Sequence, residues 1–197
     1  MATKRSYVQR ARAERQLETR RRITEAAIGL HLDVGPAATQ VSDVARRAGV
    51  QRATLYNHFP DEQALVAACS AHWRALHPAP DPALWLAIED RALRARILLA
   101  DLYGWYRETA PMTANVLRDA QVMPTLHSVI SAGLLPYLDG VVETLAAPFR
   151  TSGRHAQRVD RAARAVSSLA FWQALEPLGD REAAELGAGL MDLAGAR

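Results

Sequence analysis

The sequence contains one cysteine, Cys69, so no intramolecular disulfide can form. A lone thiol suits a reducing, cytoplasmic setting. Nothing local to Cys69 marks it as reactive, and it reads as a small packing residue. Apolar runs long enough for a membrane are missing as well. The uncharged stretch 125–138 falls short of the ~20 residues a span needs and contains Gly133 and Pro136. Residues 26–30 are flanked by basic residues but are too short for a secretory signal, and His31 and Asp33 end them. Catalytic patterns are absent too: there is no nucleophile elbow, phosphate loop or metal-ligand pair at helical spacing. His72 and His77 are five apart, the wrong interval for one helix face. His72, His127 and His155 do not form a ligand cluster, and Gly187-x-Gly189 alone is a weak signal. No enzyme, metal site or cofactor is therefore expected.

What is present is apolar residue in quantity and charge unevenly placed. Hydrophobic residues make up 49% of 197, enough for a sizeable core. The net charge is only +3, yet residues 1–58 hold eleven Lys/Arg against five Asp/Glu, and the remainder is mildly acidic. A basic head on an acidic body suggests a polyanion partner, with nucleic acid first. The arm carries Lys4, Arg5, Arg10, Arg12, Arg15 and the triplet Arg20-Arg21-Arg22. Its first dozen positions lack an apolar stripe and are expected to be disordered in isolation. Such a segment either lies along DNA phosphates or is a solvated tail.

A helix is expected over 14–34, with Ile23, Ala26, Ala27 and Leu30 on one side and Gly35-Pro36 as its stop. Thr39 or Ser42 is placed to cap the next helix. Residues 42–59 then read as two short helices about a turn at Ala48-Gly49-Val50, where Gly49 supplies a positive φ. Val44, Ala45 and Ala48 face one way, as do Leu55 and Phe59, leaving Gln51, Arg52, Thr54, Asn57 and His58 outward. This is a helix-turn-helix pattern completing a three-helix unit. Asp61 is expected to cap a following helix that reaches about Leu76, and three prolines in 78–82 read as a loop and hinge.

The run Thr39-x-x-x-Asp43-Val44-Ala45-x-x-Ala48-Gly49-Val50-x-x-x-Thr54-Leu55-Tyr56-x-His58-Phe59 resembles the N-terminal domain of TetR/AcrR-type transcriptional repressors. The resemblance covers about 18–66. It implies an all-α homodimer whose recognition helices enter successive major grooves of a palindromic operator. It also implies a C-terminal domain that binds a small molecule and so releases DNA, with the helix at 61–77 as a bridge and lever. The DNA-binding residues expected are Thr39, Ser42, Gln51, Arg52, Thr54, Tyr56, Asn57 and His58. Thr54, Tyr56 and His58 have polar tips suited to phosphates, while Gln51 and Arg52 are long enough for base edges. Asn57 suits either. Two residues depart from the family pattern. Gln51 stands where a small hydroxyl cap is usual, and Glu62 stands where a Lys would meet phosphate.

The domains expected are 1–60, arm and helix-turn-helix, and 61–197, effector binding and dimerisation, with about nine helices in all. In the second, helices are expected over 90–109, from Pro111, over 123–149 with a kink or break at Pro136, over 154–175 and over 180–194. Val159, Ala163, Val166 and Ala170 form one small-residue stripe, and Ala183, Leu186, Gly187, Leu190 and Leu193 another. Together they suggest homodimer packing through 154–194. A pocket for an apolar or aromatic effector is expected among Trp73, Tyr103, Trp105, Tyr106, Met112, Met123, His127, Phe171 and Trp172, with Asp101, Arg107 and Glu108 as orienting groups. The rival readings are a small-molecule-binding protein or enzyme that keeps the fold but has weak or no DNA recognition. If the basic arm offsets the repulsion of Glu62, deleting residues 1–12 will weaken operator binding and flatten its salt dependence. Titrations from low to high salt check this, and an unchanged slope would refute it.

Overall fold

The computed structural model describes residues 2–196, with side chains from residue 7 onward. The side chains of Lys4 and Arg5 therefore lie outside the described residues. The chain is all-helical. Its α-helices are α1 (Ala2–Asp33), α2 (Val41–Arg47), α3 (Arg52–His58), α4 (Glu62–Leu76), α5 (Pro82–Leu86), α6 (Arg91–Asp119), α7 (Pro124–Ser131), α8 (Leu134–Ala146), α9 (Gly153–Val166), α10 (Leu169–Leu175) and α11 (Asp180–Gly195). Short 3-10 turns follow α8 and α10. Among the described residues no single helix is long and apolar enough to cross a membrane.

Several boundaries differ from those read in the sequence. Residues 2–12, expected to be disordered in isolation, are here the start of α1, and helix-favouring Ala, Arg, Glu and Gln dominate the next turns over 11–16. Neither Thr39 nor Ser42 caps α2: Gln40 holds that position without a side-chain bond, and Thr39 donates its hydroxyl to the Gly35 carbonyl at 2.8 Å. Pro111 does not begin a new helix but lies within α6. Its missing N–H forfeits one helical bond, and the helix continues through buried Met112 and Thr113. The break expected at Pro136 falls at Ala132-Gly133, and Pro136 occupies the first turn of α8, where its N–H would lack a partner anyway. The helix expected over 154–175 splits at Ser167-Ser168, where Ser168 accepts from the Phe171 N–H and starts α10.

The chain divides into two compact units, residues 1–76 with 115–129, and residues 77–114 with 130–197. In the first, Ile23, Ala27, Val44, Leu55, Phe59 and Val66 are buried. Cys69 is buried as well, with its thiol against the Thr24 carbonyl and its pKa pushed up to about 12 by burial. The last turn of α6 belongs to this unit and is fastened to the end of α1. Asn115 Nδ2 donates to the carbonyls of His31 at 2.9 Å and Leu32 at 3.1 Å at the helix end, joining the Gly35 N–H on the first of them. The Ala37 N–H donates to the buried Asp119 carboxylate at 2.9 Å, and Arg118 donates to its other oxygen at 2.7 Å. Burial alone would raise the Asp119 pKa, but these donors hold it below the usual carboxylate value. Gly35, at φ 90°, leaves no room for a Cβ beside Arg118 and Asp119.

The second unit packs α9 and α11 against each other and the middle of α6 under them. Leu98, Leu99, Leu102, Tyr103 and Tyr106 of α6 meet Val141, Leu145, Val159, Val166, Trp172 and Met191 in one buried cluster. Here the expected dimer stripes need correction. Val159, Ala163, Val166, Ala183 and Gly187 are buried inside their own chain, because the small residues let α11 approach α6: the Leu99 and Tyr103 side chains lie against Gly187. Leu186, Leu190, Leu193 and Ala170 remain exposed.

His31 gives a pH test of the first unit. Burial pushes its pKa down to about 4, only partly offset by Asp119. Below pH ~6.5 an unfolded chain takes up a proton that the folded one refuses. Stability is thus complete above that pH and falls towards pH 4, by up to about 1 kcal/mol per pH unit. A His31→Leu variant should lose this slope in thermal melts between pH 7.5 and 4.5. Equal slopes in the two proteins would refute it.

Candidate nucleic-acid interface

Seven residues make α3, so its outward face is short and easily enumerated. Leu55 and the following Phe59 are buried. Gln51, Arg52, Ala53, Tyr56 and Asn57 are exposed, with Thr54 and His58 half-buried beside them. Arg52 and Tyr56 are one turn apart, as are Ala53 and Asn57, and the four share the exposed side. Gly49 has φ 64°, which allows the tight turn before Gln51. Ser42 is exposed in the first turn of α2, and Thr39 is half-buried with its hydroxyl committed to Gly35. Six of the eight candidates for DNA contact thus lie on or beside one helix, while Thr39 and Ser42 belong to the preceding segment. Gln51 occupies the N-cap of α3 with extended backbone and no side-chain bond. Glu62 is exposed in the first turn of α4, whose N–H at Ala64 is taken by the Asp61 carboxylate at 2.7 Å.

The basic surface is smaller than the sequence suggests. Arg21 pairs with Glu18 at 2.8 Å and Glu25 at 2.7 Å, Arg46 with Asp43 at 2.7 Å, and Arg47 with Asp33. Arg20 donates to the His58 carbonyl and lies over the Phe59 ring, 4.0 Å from its centre. Arg22 donates to the Ala48 carbonyl at 2.7 Å. The whole triplet is therefore spent on the protein itself. Among the described residues of this segment, Arg10, Arg12, Arg15 and Arg52 stay exposed with no ion pair, Arg15 bonding only the Ala11 carbonyl of its own helix. The acceptors of Arg20 and Arg22 are backbone carbonyls, which leave no mark in the sequence. One signal was available: Arg20, Ile23 and Ala27 fall at i, i+3, i+7, so Arg20 extends the buried stripe of α1.

The aromatic candidates divide between the two units. Trp73, Met123 and His127 belong to the first, where His127 is exposed and the other two half-buried. Tyr103, Trp105, Tyr106, Phe171 and Trp172 come together in the second, and Met112 is buried there too. Their polar tips are mostly committed. Tyr103 donates to Val166 O at 2.6 Å, Tyr106 to Ser167 O at 2.8 Å, Trp105 to His77 O at 3.3 Å and Trp172 to Asp180 at 3.1 Å. Of the suggested orienting groups, Asp101 accepts from Trp85 Nε1 at 2.8 Å, Arg107 pairs with Asp180, and Glu108 is exposed. Tyr137, unremarked in the sequence, stands edge-on to Trp105 at 5.8 Å and has a buried hydroxyl without a partner among the described residues. Burial, with the neighbouring Tyr106 and Asp101, keeps that phenol protonated. An open recess of about 620 Å³ lies elsewhere, lined by Thr151, Arg154, His155 and Arg158.

Residues 23–69 match the bacterial regulatory proteins, tetR family. No curated protein matches the chain. Solved structures share its fold over nearly the whole length. A protein of Clostridium perfringens described as a fatty acid metabolism regulator aligns with a TM-score of 0.62 and 14% identity, covering 89% of this chain and 98% of its own. A TetR family transcriptional regulator of Thermus thermophilus gives 0.56 and 22%, covering 87% and 96%. A transcriptional regulator from Saccharomonospora viridis, solved with choline, gives 0.54 and 18%, covering 89% and 94%.

The uncapped start of α3 is directly testable. Replacing Gln51 by Ser supplies a hydroxyl for the open N–H groups and should stabilise the protein by about 0.5–1 kcal/mol. Denaturant titration measures this, and a stability equal to or below that of the parent would refute it.

Proposed function

From the match of residues 23–69 to the bacterial regulatory proteins of the tetR family, we propose that this chain is a cytoplasmic, homodimeric repressor released from a palindromic operator by a small apolar or aromatic effector. The exposed face of α3 carries the reading: a short helix presenting Arg52, Tyr56 and Asn57 on a buried Leu55 and Phe59 has the chemistry to enter a major groove. Arg52 and Gln51 take base edges, Asn57 a base or phosphate, and Thr39, Ser42, Thr54, Tyr56 and His58 hold phosphates and set register. Residues 1–60 form the DNA-reading part and 61–197 the part that takes the effector and pairs. The bridging helix at 61–77 links the two.

Pairing is assigned to the face of α11 left open by its own chain, Leu186, Leu190 and Leu193. The effector is assigned to the aromatic cluster of the second unit, Tyr103, Trp105, Tyr106, Phe171 and Trp172. A buried hydroxyl without a partner is costly, which favours an effector that brings one polar atom to Tyr137. The Saccharomonospora viridis protein of this fold was solved with choline, a small organic ligand of the kind aromatic faces attract. The second reading, a fold kept without DNA recognition, draws on the carboxylate of Glu62 and the uncapped Gln51.

Mobility shift with DNA flanking the gene at low salt tests the proposal. The protein should retard at least one fragment, Arg52→Ala should cost about 1–3 kcal/mol and relax base preference, and Tyr56→Phe should weaken binding evenly across sequences. No retarded fragment at low salt would overturn the repressor in favour of the second reading.

A further inference from the structure

The arginine triplet of α1 does a task that neither DNA contact nor surface solvation describes. α3 leaves carbonyls open at its end, as every helix does, and here His58 O is taken by the Arg20 guanidinium. The same guanidinium lies over Phe59, with its carbon 4.0 Å from the ring centre, so two contacts fix one group. At the other end of α3, the turn is held by Arg22, which donates to Ala48 O at 2.7 Å and reaches Gly49 O at 3.5 Å. The partners lie 38 and 26 residues along the chain, so these are tertiary ties and not local ones. The intervening Arg21 faces away and pairs with Glu18 and Glu25 on its own helix.

We propose that Arg20 and Arg22 are positioning residues for DNA recognition, gripping α3 at its end and at the turn before it so that its exposed face is held ready for the groove. They act through α3 and do not meet phosphate themselves. The inference rests on the DNA-reading function proposed above. The chemistry requires arginine at position 20, because a lysine ammonium cannot both stack on Phe59 and reach His58 O with a planar fork.

The test uses the full-length protein and a duplex enriched by it from a random-sequence library. Failure of the parent protein to enrich any sequence would sink the DNA-reading function, and this inference with it. Given an enriched duplex, Arg20→Lys and Arg22→Ala should each weaken binding about tenfold or more, since a charge-assisted bond is lost. The slope of log affinity against log salt should stay at the parent value, because no phosphate contact is removed. Amide exchange in the free protein should speed up over residues 52–59 while the rest of α1 and α4 stays protected, which also shows that the variants fold. A slope reduced by about one per variant would reassign these arginines to phosphate and overturn the inference. Parent-level affinity, or a Lys at position 20 that binds as well as Arg, would overturn it too.

Discussion

A helix of seven residues is not stable in water by itself, and both α2 and α3 are of that length. Everything the recognition surface does depends on what holds these two turns of helix in place. That support comes from α1, whose Ile23, Ala27 and Ile28 are buried in the same unit as Val44, Leu55 and Phe59, and whose arginines reach the end of α3 and the turn before it. Two of the segment's eleven Lys/Arg, Arg20 and Arg22, are thereby spent on the platform itself.

The other end of α1 is tied differently. Asn115, Arg118 and Asp119 close on its last carbonyls and on the loop leading to α2, with Gly35 shaped to let them in. These three residues end α6, which begins among the aromatic core of the second unit. The last turn of α6 thus reaches the end of α1 and the loop before α2 through hydrogen bonds. Removing one partner of this polar cluster would leave a buried carboxylate or carbonyl unsatisfied, which is why such clusters hold a single arrangement.

The helix-turn-helix was legible because its information is local: Gly49 needs positive φ, and Val44, Ala48, Leu55 and Phe59 repeat at helical spacing within eighteen residues. The family match over 23–69 covers the same stretch. What escaped notice depends on partners far along the chain. Pro111 reads as a boundary but is carried through by packing on either side, and Ser167-Ser168 reads as helix but ends one because Ser168 caps the next. The small residues of α9 and α11 signalled close approach correctly, yet spacing cannot say whether the approaching helix is in the same chain. Arg20 and Arg22 looked free for the same reason, since their acceptors are backbone carbonyls that carry no sequence signature. Tyr137 stands out only once its neighbours are known to be satisfied.

The deep seat of Cys69 has a practical side. Its thiol is enclosed and hard to ionise, and it is the chain's single sulfhydryl. A cysteine introduced on the outer face of α3, at Ala53 for example, would be alone in reacting quickly with a maleimide or a spin label. In the proposed homodimer, the distance between the two copies of α3 could then be read by spectroscopy in an otherwise native background.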